Sequence, residues 1–176
     1  MRCLLTVLIF SLIVRPCHAW SACGHHIIAV LAYDLLTPAE QQQVLHLLET
    51  HPRFTDDFQV PQNVDTPEKR PYWLIGRAGY WPDVARRVPE FNRPNWHYQL
   101  GSSLTIGQNV RVPETPGPLA ADATMETMGL HITQAIALCR RVLQHRSQPE
   151  SDWALAICWL AHLVADAHQP CHAGSL

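Results

Sequence analysis

The stretch Trp153–Val164, "WALAICWLAHLV", is apolar nearly all round. A helix with that pattern has no face for water and must be buried inside a domain. It nevertheless carries His162 and runs straight into Asp166. Residues four apart lie one turn above each other on one helix face, about 6 Å along the axis. Burying a carboxylate in such surroundings costs several kcal/mol unless a cation meets it. Two readings satisfy this demand. One is a buried His-Asp pair with exposed histidines in the tail. The other is a divalent metal, which also accounts for His172, because Pro170 ends the helix and lets the chain turn back. His168, two residues beyond Asp166, points off that face and is read as hydrogen-bonding to a ligand or simply exposed.

The rest of the chain fits an all-α domain. Residues 24–36 place Ile27, Ile28, Leu31 and Leu35 at helical spacing. Thr37, Pro38 and Glu40 then form a start signal with a capping box for a helix to about Thr50. Residues 51–71 are rich in Pro and Asp and read as loop. "YWLIGRAGYWPDVARR" reads as two short helical pieces broken near Gly79 and Pro82. Residues 89–118 read as irregular, with a short strand or hairpin at "NWHYQL" and "QNVRV". A long amphipathic helix is expected over Asp122–His145, with Met125, Met128, Ile132, Ile136, Cys139 and Val142 as its stripe. Ser151 is expected to cap the last helix, from about Asp152 to Gln169.

The first 19 residues are set apart from this domain. Arg2 precedes an apolar run, Cys3–Val14, too short for a stop-transfer helix, and "RPCHA" offers Cys17 and Ala19 to a signal peptidase. Cleavage is expected between Ala19 and Trp20, giving a secreted or periplasmic protein; the alternative is an uncleaved anchor. Removal of the leader takes away Arg2 and Arg15, two of the 13 basic residues, and none of the 15 acids, leaving a net charge of −4. A chain so charged does not grip nucleic acid by charge alone, and phosphate chemistry would need metal ions for its positive charge. Four cysteines remain in the mature chain, Cys23, Cys139, Cys158 and Cys171, in no CxxC spacing. Their pairing is left open, with Cys139 and Cys158 read as buried thiols.

Further ligand candidates lie upstream. A freed Trp20 could chelate a metal through its α-amino nitrogen, whose ordinary pKa is about 8, and its carbonyl oxygen. Gly24 lets the chain bend so that His25 joins the same ion, while His26 falls on another face. Asp83 in "WPDVARR" is either a ligand or the partner of Arg86 or Arg87. His97, between Trp96 and Tyr98, is either a strand-borne ligand or a core histidine.

Taken together, "WSACGHH", "WPD", "NWHY" and "HLVADAHQPCHAG" occur in an order that resembles the zinc-dependent, single-strand-specific nucleases secreted by fungi, plants and bacteria. These share an all-α fold with bacterial zinc-dependent phospholipase C. The resemblance runs from Trp20 to the last residue and implies three zinc ions. Asp83, His97, His162 and Asp166 would hold one. Trp20, His25 and a bridging Asp166 would hold a second, and His172 would be the first ligand of a third. It further implies attack on phosphorus by a water that two zincs make acidic, with the third zinc steadying the leaving 3′ oxygen, so that products carry 5′ phosphates. Arg86 would contact the phosphate, and Tyr98 and Trp81 are the candidates for stacking a base of a single-stranded substrate. A monomer is favoured.

The family continues beyond the motif that His172 begins, and a later helix there supplies a histidine and an acid to the third zinc. Here Gly174, Ser175 and Leu176 end the sequence. It is therefore read as a fragment of a longer protein rather than a natural truncation, with these 176 residues expected to be inactive or poorly folded by themselves. Two other readings stand beside the nuclease: a phospholipase C-like phosphodiesterase with the same zinc cage, and an inactive remnant.

Overall fold

Seven α-helices and two 3-10 turns make up the regular structure of residues 21–99, 116–145 and 147–173, which the computed structural model describes. The helices are α1 (Ala22–Asp34), α2 (Pro38–Glu49), α3 (Phe54–Asp57), α4 (Arg70–Ala85), α5 (Ile132–Gln144), α6 (Glu150–Ala167) and α7 (Pro170–Ala173). The 3-10 turns are Gln62–Val64 and Pro94–His97. No strand occurs among the described residues, so the all-α expectation holds.

α6 is the centre of the packing, touching α1, α2, α4, α5 and α7. Ala154, Leu155, Ala156, Cys158, Trp159, Leu163 and Ala165 are all buried on it, as a helix apolar all round requires. Ser151 is not its cap: Pro149 holds that position, and Ser151 sits inside the first turn. Pro170 does end α6 but at once opens α7, where a proline in the first turn loses nothing. α2 starts as expected. The Thr37 hydroxyl accepts the Glu40 N–H, and the Glu40 carboxylate accepts the Thr37 N–H at 2.8 Å.

α4 runs unbroken through Pro82, where two pieces were expected. An interior proline costs about 3 kcal/mol. Leu74, Ile75, Ala78, Trp81 and Ala85 are buried on both sides of it, and each large side chain so buried contributes about 1.5–3 kcal/mol. Packing against α1 and α6 therefore outweighs the local penalty.

α5 is shorter than expected, beginning at Ile132 rather than Asp122. The Thr127 hydroxyl accepts the Thr124 N–H at 3.0 Å, and the Thr124 hydroxyl donates to Glu126. Such local side-chain bonds offer the backbone an alternative to the helix. Gln134 then caps the start by accepting the His131 N–H. "NWH" is likewise a 3-10 turn and not a strand. The extended residues after it are held by other partners: Tyr98 O accepts the Ile132 N–H, and the Gln99 N–H donates to His172 O. "QNVRV" lies outside the described residues, as do Trp20 and the leader.

α1 buries a narrower face than its isoleucines and leucines suggest. His25, Ala29 and Tyr33 face inward, while Ile27, Leu31 and Leu35 are 54%, 60% and 88% exposed. Ala29 and the His25 backbone meet α4 at Gly79, and the His26 ring lies over Gly76. The four cysteines among the described residues, Cys23, Cys139, Cys158 and Cys171, are free thiols, and Cys139 and Cys158 are buried as expected. Burial pushes the Cys139 thiol up to about 12.

Candidate metal centre

Five elements deliver polar side chains to one place in the apolar core. α1 brings His25, the last turn of α4 brings Asp83, the second 3-10 turn brings His97, α6 brings His162 and Asp166, and α7 brings His172. All but Asp83 are buried. Asp166 lies at the middle. Its Oδ2 is 3.0 Å from His97 Nδ1, 3.1 Å from His162 Nε2 and 3.5 Å from His172 Nδ1, and its Oδ1 is 3.3 Å from His25 Nε2.

Backbone carbonyls fix the outer ring nitrogens. His162 Nδ1 lies 2.9 Å from Gly79 O and His172 Nδ1 lies 2.7 Å from His97 O. A carbonyl only accepts, so both Nδ1 atoms carry their proton. The Nδ1-H tautomer of His162 presents a lone pair at Nε2, which sits 3.0 Å from His97 Nδ1 and 3.1 Å from the Asp166 carboxylate. One proton on His97 Nδ1 can serve only one of its two neighbours, leaving lone pair against lone pair. Two more buried atoms, His25 Nδ1 and His97 Nε2, have no hydrogen-bond partner, and Asp166 Oδ1 has only its 3.3 Å ion-pair contact with His25 Nε2. Buried polar groups are normally satisfied, and a group of orphans around a carboxylate is what a cation would complete.

The charge states suit ligands. Burial, the largest single influence on Asp166, works to raise its pKa. Contacts with His162, His25 and His97 outweigh burial and hold the carboxyl far below the usual carboxylate range. Burial pushes the His97 imidazole well below its ordinary value, and the nearby His162 and Arg86 act in the same direction, so His97 stays neutral. Ligand atoms converge in two groups, each within 4.8 Å: His25, Asp83 and His162, and His97, His162 and Asp166. Asp83 thus groups with His25 and His162, whereas the resemblance sets it beside His97 and Asp166. Mixed imidazole and carboxylate donors of this kind suit zinc. The residues present therefore fit the metal.

The centre opens on a cleft of about 430 Å³, lined by Asp83, Arg86, Tyr98 and Tyr80 together with His25, His162, Asp166 and His172. Arg86 Nε pairs with Asp83 Oδ1 at 2.9 Å, so Asp83 is both ion-pair partner and candidate ligand. Tyr98 stacks on His172, ring centroids 4.7 Å apart and 14° from parallel, and remains 38% exposed.

Trp81, the other stacking candidate, is in the core and not in the cleft. It is fully buried against His51 and Phe91, its indole N–H donating to Asp57 at 3.0 Å, and no face is open to a base. His168 is exposed, its Nδ1 2.7 Å from Val164 O. Tyr80 is the cleft residue that sequence reasoning missed. Its signal was its place three residues before Asp83, on the same helix face, which the expected break at Gly79 and Pro82 obscured.

No helix of the described residues is long and apolar enough to cross a membrane. Comparison with the curated proteins and with the solved structures finds no significant match. Among protein families, the model described as S1/P1 nuclease matches residues 20–176. That span takes in every residue of the histidine-aspartate centre, and the chain belongs to the S1/P1 nuclease family, a family of hydrolases that act on nucleic acid.

Proposed function

We propose that the protein is an exported, zinc-dependent endonuclease that hydrolyses phosphodiester bonds of single-stranded DNA and RNA, leaving 5′ phosphates. The observation that carries this reading is the buried Asp166 carboxylate, ringed by four histidines at the wall of an open cleft. His25, Asp83, His97, His162 and Asp166 would hold zinc. A mature N-terminus at Trp20 would add its amino nitrogen and carbonyl oxygen, and His172 would serve a third ion. Zinc bound there supplies the positive charge that an acidic protein lacks and makes water acidic enough to attack phosphorus near neutral pH.

The chain's own residues do the rest. The carbonyls of Gly79 and His97 fix the His162 and His172 rings, so their Nε2 lone pairs are available to a ligand. Asp83 holds Arg86 at the cleft, where its guanidinium can donate to a phosphate oxygen. Tyr98, backed by His172, offers a ring face to an unstacked base. A duplex keeps its bases paired and stacked, so the preference for single strands follows.

The test uses protein purified from its native source, with single- and double-stranded oligonucleotides as substrates. Expected are cleavage of the single strand, 5′-phosphate ends, loss of activity with a chelator and its return with zinc. Cleavage indifferent to the chelator contradicts the proposal, as does the absence of cleavage by the zinc-loaded protein. Tyr98→Ala should raise KM by the worth of one base stack, about 1–3 kcal/mol or roughly 5- to 150-fold, with zinc content unchanged.

A further inference from the structure

We infer that Gly79 is a positioning residue for the metal-ligand cluster, setting both the distance between α1 and α4 and the orientation of His162. The inference rests on the zinc reading above. Two observations meet at this one residue. Its carbonyl holds the His162 ring at 2.9 Å. A Cβ placed on Gly79 would lie 2.6 Å from the Ala29 Cβ and 3.0 Å from the His25 carbonyl oxygen. Both obstacles belong to α1, and one is backbone, so neither can swing aside. Any side chain at 79 must push α1 away from α4.

That displacement falls directly on the ligands. His25 rides on α1, and its ring stacks on His162 at 3.8 Å and 17°. His162 is anchored to α4 through Gly79 itself. A methyl at 79 therefore separates His25 from His162 without removing a single donor atom. Gly76, one turn earlier, offers a contrast. The nearest atoms to a Cβ there are those of the His26 ring, the far end of a side chain that belongs to neither ligand group.

The experiment measures zinc dissociation constants by competition with a chromophoric chelator, for the wild type, G79A, G79A/A29G and G76A. Melting of each metal-free form is recorded alongside. Moving a group that orients a ligand typically weakens metal binding about 10- to 100-fold, and G79A should lose that much. The second change, A29G, removes the nearer of the two atoms that the new methyl meets, leaving only the His25 carbonyl oxygen at 3.0 Å, and should restore most of the loss. G76A should bind zinc as the wild type does, whatever its melting temperature.

G79A binding as tightly as the wild type overturns the inference. So does a double variant that is as weak as the single one or fails to fold. Should G79A itself fail to fold, recovery of wild-type affinity in the double variant still supports the inference. A wild type that takes up no zinc overturns the nuclease reading and this inference together, whereas equally tight zinc binding by the wild type and G79A overturns this one alone.

Discussion

Asp166→Asn should remove zinc from the centre. The carboxylate is the one formal negative charge among His25, His97, His162 and His172, and it lies within 3.5 Å of a ring nitrogen of each. An amide of the same shape leaves the packing in place and withdraws that charge. Removing one partner from a buried charge pair typically costs about 3–5 kcal/mol. At about 1.4 kcal/mol per tenfold, this is roughly a 10²- to 10⁴-fold loss of zinc affinity, with nuclease activity falling in parallel. Metal content by elemental analysis and titration of the metal-free protein check it. Undiminished zinc in D166N would mean that Asp166 is a structural partner of the histidines and not a ligand.

The metal-free protein should lose stability as the pH falls from about 6.5 towards 4, with His51 and His97 both contributing. That ring is buried between Phe58 and Trp81. Its Nδ1 accepts the Arg53 N–H at 3.1 Å, which leaves the proton on Nε2, where no partner is found. Burial lowers its pKa to about 4 from 6.5, against a smaller upward pull from Asp57; Arg53 adds slightly to the lowering. A folded-state value below the unfolded one means that the unfolded chain takes up the proton first. The histidine therefore favours folding above pH 6.5, and that contribution drains away as the pH drops to the folded-state value.

At 1.36 kcal/mol per pH unit, the His51 contribution is about 3 kcal/mol. His97, depressed by burial as well, acts in the same direction. Denaturant unfolding at pH 7 and pH 4.5 measures the loss. His51→Gln, which keeps an acceptor for Arg53 and cannot be charged, should lose much less over the same interval. Equal losses in both proteins would remove His51 from the account.

What could be read in the sequence was whatever depends on residues close together along the chain. The α2 capping box lies within four residues, and the burial of α6 follows from its own composition. His162 and Asp166 share a face because helix geometry puts them there. What failed were the places where distant packing overrules local preference. Pro82 and Gly79 signal a break, but the core on both sides holds α4 together. Met125 and Met128 continue the α5 stripe, yet threonine hydroxyls tie residues 124–127 into turns.

The candidate centre was legible as a set of residues and not as a geometry. His25, Asp83, His97, His162, Asp166 and His172 carry the motifs. No spacing, however, foretells that Asp83 groups with His25 and His162, or that the Gly79 carbonyl orients a ring 83 positions away. Trp81 misled for the same reason: an aromatic residue two positions from Asp83 lies on the opposite side of the helix, where it fills the core.

Four histidines ring a buried carboxylate at ring-nitrogen distances of 3.0–3.5 Å, with His25 Nδ1 and His97 Nε2 left without a protein partner, and that arrangement carries the account. Elemental analysis of protein purified from its native source tests it most directly. At least two zinc ions per chain are expected, lost in parallel with single-strand cleavage when a chelator is added. Folded protein from that source that contains no transition metal and takes none up from a zinc solution would contradict it.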